Sequence, residues 1–118
     1  MQYLLLFNSS PEDLDRLPDD PESAPYWESW RAYMTAIYAA GVVKSGNALR
    51  PGHTATTVRI RDGKRLVQDG PFADTKEILG GYLVIDVPSL DEALVWAARS
   101  PSSESGSTEV RPILDLKR

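Results

Sequence analysis

The chain has 118 residues, 42% hydrophobic and 25% charged, the balance of one soluble globular domain, assigned to residues 1–118. Seventeen acids against 13 lysines and arginines give a net charge of −4, and the cations are scattered, so no nucleic-acid partner is expected. The absence of cysteine excludes disulfides, thiolate catalysis and thiolate metal sites.

The opening "QYLLLFN" is a short apolar run that reads as a buried first strand. It lacks the basic flank of a signal peptide, and no apolar run approaches a membrane span, so a cytoplasmic protein is expected. Residues 9–25, "SSPEDLDRLPDDPESAP", hold four prolines and six acids; they read as a flexible acidic loop, with a functional lid as the alternative. In "YWESWRAYMTAIYAAG", Trp27, Trp30, Met34 and Ile37 share one helical face, read as core rather than a cofactor stack, and Gly41 stands where a helix would end.

Val42 and Val43 begin another strand. "TATTVRIR" alternates, with Thr57, Arg59 and Arg61 on one face and Val58 and Ile60 on the other. Asp62-Gly63 is a tight hairpin signal and "RLVQ" the returning strand. "ILGGYLVIDV" is a strand whose paired glycines suggest a bulge or a close backbone approach. "SLDE" is a capping box that opens a second helix, with Leu90, Ala93, Leu94 and Ala97 as its expected buried stripe. "SSESGS" reads as a loop, and "TEVRPILDL" as a last strand with Glu109 and Arg111 on one face.

Two strand–helix–strand halves around a hairpin predict an α+β, ferredoxin-like antiparallel sheet with both helices on one face. The uncovered face predicts a two-fold homodimer.

The stretch "DGPFADTKEILGGYLVIDVPSLDEALVWAARSP", with "TEVRPI", "TTVRIRDG" and "MQYLLLF", resembles the DGPF type of the YCII-related family over essentially the whole chain. That resemblance implies a dimeric α+β barrel, a scaffold that hosts lactone isomerases and monooxygenases. It also implies a regulatory setting beside extracytoplasmic-function sigma factors. The wider family implies a histidine near the first helix acting with an aspartate. The aspartate carries over as Asp69; the first helix here opens with Tyr26, Trp27 and Glu28 and has no histidine.

Two readings of the motif stand side by side. Asp69, Gly70, Pro71 and Phe72 suit a rigid turn, or a turn that holds Asp69 in a cleft as a base. In the second reading Asp69, His53 and Tyr82 are the catalytic candidates, with His53 (the one histidine) needing to reach Asp69. Arg59, Phe72, Lys76, Glu77 and Arg111 are candidates for holding a ligand. Glu109 offers the arginines an internal ion pair, and a carboxylate or phosphate on a ligand is the alternative. No metal site or cofactor is expected, since one histidine and no cysteine leave no suitable spacing. The expected function is cofactor-free acid–base chemistry on a small polar metabolite in a polar cleft. The alternative is a non-catalytic metabolite-binding or sigma-factor-associated regulatory module, for which the acidic loop would be the contact.

Overall fold

The computed structural model describes residues 1–70 and 76–116. Strand β1 (Gln2–Ser9) alternates strictly, burying Tyr3, Leu5, Phe7 and Ser9. This is the period-two pattern of a strand with one face in a core. The acidic segment then forms a helical turn, α1 (Pro11–Leu14), and a 3-10 turn over Pro21–Ser23. The Ser10 hydroxyl accepts from the Asp13 amide and the Asp20 carboxylate accepts from the Glu22 amide, each satisfying an otherwise orphaned N–H. The prolines therefore start short helices here instead of preventing them.

Helix α2 (Ala24–Ala39) ends at Gly41, whose φ of +74° is the left-handed conformation of a C-terminal glycine. Strand β2 (Val43–Ala48) follows, and then the hairpin of β3 (Thr56–Arg61) and β4 (Lys64–Asp69). Asp62 and Gly63 both have positive φ, as expected for the two-residue turn read from the sequence. Strand β5 (Ile78–Asp86), α3 (Leu90–Arg99), the short helix α4 (Ser102–Ser105) and β6 (Ser107–Pro112) complete the order.

The main sheet runs β2-β5-β1-β6 with every neighbour antiparallel, which is the ferredoxin-like arrangement. Tyr3, Leu5, Phe7, Leu83, Ile85 and Val87 pack against Tyr33 and Ile37 of α2 and Ala93 and Ala97 of α3. Both helices therefore lie on one face. The register against β1 shifts between Phe7 and Asn8, leaving Gly80 as the extra residue of a bulge, as the paired glycines predicted.

Four local expectations change. The buried stripe of α3 is Ala93 and Ala97 with half-buried Trp96, whereas Leu90 and Leu94 are 47% and 46% exposed. Small side chains let the helix lie close to the sheet, and the leucines roll outward. In α2, Tyr33 and Ile37 are the core anchors; Trp30 and Met34 only pack at its margin. Residues 102–105 are helical, and the hydroxyls of Ser100, Ser102 and Ser103 lie 2.7, 2.6 and 2.9 Å from Thr108 Oγ1, tying that turn to β6.

The hairpin is the largest change. Strands β3 and β4 form the extra hairpin expected beside the main sheet, but their apolar face does not pack on the helices: Val58 and Ile60 are exposed. Arg59 consequently shares no sheet face with Glu109 and Arg111; Glu109 pairs instead with Arg111, at 3.5 Å.

Candidate functional site

A cleft of about 460 Å³ opens between α2 and the β2–β5 side of the sheet. Its helix wall is built from Tyr26, Trp27, Trp30, Met34 and Tyr38, and its sheet wall from Phe7, Leu83 and backbone-rich Gly46, Gly80 and Gly81. The sequence explains the hollow. Bulky aromatics hold α2 away from the sheet, and glycines on the opposite side leave space. Gly46 and Gly81 also allow β2 and β5 to approach: a Cβ at Gly81 would lie 3.0 Å from the Asn47 carbonyl oxygen.

The aromatics form an edge-to-face chain. Phe7 and Trp30 have centroids 5.1 Å apart, Trp30 and Tyr33 5.9 Å, and Tyr33 and Trp96 6.4 Å. Such contacts fix ring orientation in addition to burying area. Burial also raises the Tyr33 pKa, opposed weakly by Arg99, and the phenol donates to the Trp96 carbonyl at 3.0 Å. The Trp27 indole nitrogen is buried without a hydrogen-bond partner among the described residues. Asn47 Nδ2 donates to the Tyr82 phenol oxygen at 3.0 Å, and both residues border the cleft. The lining is thus aromatic, with Arg31 as its cation and no carboxylate or histidine among the described residues. This cleft is not the polar one expected beside Asp69–Phe72, of which residues 71 and 72 lie outside the described residues.

Of the residues singled out in the sequence, Tyr82 lines this cleft. Asp69 is exposed at the end of β4, opposite Thr56. Beside it the hairpin base closes: the Gly70 amide donates to the Ala55 carbonyl at 2.7 Å, and Thr57 Oγ1 donates to the Gly70 carbonyl at 2.9 Å. His53 lies on the turn leading into β3, 74% exposed, with Nε2 3.8 Å from Asp15 Oδ1. Lys76 and Glu77 are exposed just before β5, where Glu77 Oε1 accepts from Ser107 Oγ at 2.6 Å. Arg59 is half-buried on β3, and Arg111 is exposed on β6. Phe72 lies outside the described residues.

Asp69 and His53 therefore belong to the segments at the hairpin base, whereas Glu77 is tied to the start of β6. That base adjoins the cleft through Leu49, whose amide donates to the Gly80 carbonyl at 2.8 Å; both residues are lining. Among the described residues no three histidines or carboxylates converge as a metal-binding group. No described helix is long and apolar enough to cross a membrane. Sequence reasoning missed Trp27, Trp30, Tyr38 and Asn47 as lining residues. The signal was present in the aromatic density of α2, but periodicity alone does not separate a core face from a cleft wall.

A ferredoxin-like α+β domain with an aromatic cleft under its first long helix is the class these features define. Within it, this chain belongs to the YCII-related domain family, whose model matches residues 1–117. It is 48% identical over 67 residues to the uncharacterized protein R00369 of Rhizobium meliloti (strain 1021), a match spanning 55% of this chain and 54% of that protein. Its fold is similar to that of 5-chloro-2-hydroxyhydroquinone dehydrochlorinase (TftG) from Burkholderia phenoliruptrix AC1100, solved with 2,5-dihydroxybenzoquinone. That likeness has a TM-score of 0.56 at 18% identity and covers 99% of this chain and 97% of the other.

Proposed function

We propose that this protein binds a small, flat ring compound in the α2 cleft and carries out cofactor-free proton transfer on it. The observation that carries this reading is the cleft itself: a roughly 460 Å³ hollow walled by Tyr26, Trp27, Trp30 and Tyr38. Its volume lies within the range of small-molecule sites, and its walls are apolar with a few polar groups, as such sites usually are. Aromatic edges and faces suit a planar ligand. Arg31 offers a charge to an oxyanion at the rim. The Trp27 N–H, unsatisfied among the described residues, is a donor for a ligand acceptor. The fold neighbour's bound dihydroxybenzoquinone is a molecule of this shape and adds support.

Asp69 is the base in this reading, and His53 the second proton carrier, both reaching the ligand from the hairpin base. Lys76 and Arg59 stabilise negative charge as it develops. A carboxylate at the end of β4, beside the closed hairpin base, is the kind of rigidly placed group that proton abstraction needs.

The test is a titration of wild type with hydroxylated benzoquinones and hydroquinones, read by tryptophan fluorescence. Saturable quenching is expected, with loss of binding in Ala48→Phe, which fills the cleft from the β2 side. At one hundred times its Kd the ligand should add about 2.7 kcal/mol of stability. Turnover of chlorinated hydroxyhydroquinones, read as chloride release, should fall in Asp69→Asn while quenching persists. Quenching without turnover in wild type would identify a binding module instead. No quenching by any ring compound would overturn the reading.

A further inference from the structure

We infer that the α2 cleft takes its ring compound as an anion, carrying a carboxylate or an ionised ring oxygen, and that Arg31 is the residue that selects this form over neutral rings. The inference rests on the ring-binding reading above and adds to it the charge of the ligand and the side chain that reads that charge.

Arg31 is built into the cleft wall. Trp27, Trp30, Arg31, Met34 and Tyr38 fall at i, i+3, i+4, i+7 and i+11, a single stripe of α2, and all five line the cleft. Arg31 is exposed, so it stands at the rim of that stripe. An arginine suits such a place, because its stem can lie along apolar wall while the guanidinium stays at the water's edge.

Its charge is uncommitted, unlike that of its neighbours. Arg16 pairs with Asp13 at 2.9 Å and lies 5.5 Å from the centroid of the Tyr26 ring. Arg99 stands 4.4 Å from the centroid of the Trp96 ring. Arg31 has no ion pair, hydrogen bond or ring contact among the described residues. Glu28, three residues earlier on the helix, has the spacing for a pair and does not form one.

The rest of the lining supplies no counter-charge, since it holds no aspartate, glutamate or histidine among the described residues. A cation beside apolar walls acts more strongly on a ligand than one in open water. A neutral ring leaves that cation unpaired. A carboxylate, or two adjacent ring oxygens sharing a negative charge, meets the planar fork with two parallel N–H···O bonds.

A second donor serves the other end of the ring. Trp27 Nε1 is buried and has no hydrogen-bond partner among the described residues. Trp27 and Arg31 are one helical turn apart, about 6 Å along the axis. A single ring with oxygens at opposite ends spans that separation. An indole N–H donates and cannot accept, so this end too favours a bare acceptor oxygen over a hydroxyl that must donate.

The test is isothermal titration calorimetry of the full chain with three probes. Gentisate and gentisamide have nearly the same shape, one charged and one neutral, and hydroxybenzoquinone carries its charge on an ionised ring oxygen. Wild type should bind at least one of the two anions about tenfold or more tightly than gentisamide, because charge-assisted bonds are the stronger ones. Arg31→Gln keeps the length and helix propensity of the side chain; it should erase this preference and leave gentisamide binding unchanged. Arg31→Lys restores the charge without the fork and should recover only part of the preference. Whichever anion depends more on Arg31 identifies the group on the natural ligand, carboxylate or ring oxygen. Equal binding of charged and neutral rings by wild type, or a preference that survives in Arg31→Gln, would overturn the inference and leave ring binding itself standing. Binding of none of the three by wild type would overturn both.

Discussion

Asn47 Nδ2 donates a hydrogen bond to the Tyr82 phenol oxygen at 3.0 Å, joining the edge strand β2 to β5 where both border the cleft. The two residues are direct cross-strand partners, so the bond follows from register, and β5 carries the phenol on a rigid element. Tyr82→Phe removes the acceptor while leaving the ring. Asn47 is exposed and can turn back to water, so the cost to stability should be only about 0.5–1.5 kcal/mol. Tyr82 alternates with Leu83, so its phenol lies on the sheet face away from α2 and ring-compound affinity should be unchanged. Paired urea melts and fluorescence titrations check this, and a large loss of affinity would place the phenol in the site.

Gly46 is a close-approach position. An added methyl group would run into the Leu83 side chain and sit 2.6 Å from the Tyr82 carbonyl oxygen. Because Leu83 is buried and that oxygen belongs to the sheet, relief requires β2 to move. Gly46→Ala should cost about 1–3 kcal/mol, the usual range for overpacking, read as a lowered urea midpoint.

Ser89 opens α3, its side chain accepting from the Glu92 amide at 3.3 Å. Ser89→Ala leaves that N–H without its cap and should cost about 1 kcal/mol, or roughly 4 °C in Tm for a domain this size. Ser89→Asp should recover most of the loss, since a carboxylate caps equally well and faces the positive end of the helix. If Ser89→Asp melts as low as Ser89→Ala, the hydroxyl matters for some reason other than capping.

Tyr33 is 5% exposed, and burial raises its pKa above the ordinary tyrosine value of about 10. The folded chain therefore holds this proton more tightly than the unfolded chain does. Its contribution is fully present below about pH 10 and is lost as pH rises beyond that, because only the unfolded chain then gains from ionising. Tyr33→Phe should be less stable near neutrality, having lost the bond to the Trp96 carbonyl, but its Tm should fall less steeply between pH 9 and about 11. Parallel slopes for the two proteins would show that other groups govern the alkaline limit.

Much of the fold was legible in single side chains and their spacing. The β1 alternation, the Asp62-Gly63 turn, the Ser89 cap, the Gly41 stop and the glycine bulge opposite Phe7 all act within a few residues, so local chemistry suffices to specify them. The candidate site was less legible. The DGPF stretch drew attention because its residues are chemically distinctive, while the aromatic cleft is built from residue types that ordinarily fill cores. Trp27 and Trp30 share a helix face with Ile37, yet Ile37 is fully buried and the tryptophans wall a hollow. That difference depends on how far α2 stands from the sheet, a distance no local pattern encodes.

The sequence by itself determined the main strands and the two long helices, where most of them start and stop, and that they fold as one α+β unit; residues 11–14, 21–23 and 102–105, which form short helical turns, read there as loops. These follow from hydrophobic period, caps and turn residues. Only the tertiary structure decided that the apolar face of the β3–β4 hairpin stays exposed, that Arg59 parts from Arg111, and that α3 buries alanines while exposing Leu90 and Leu94. Each of these turns on which surfaces meet across the chain, and alternation shows that a strand has two faces without showing what either face touches.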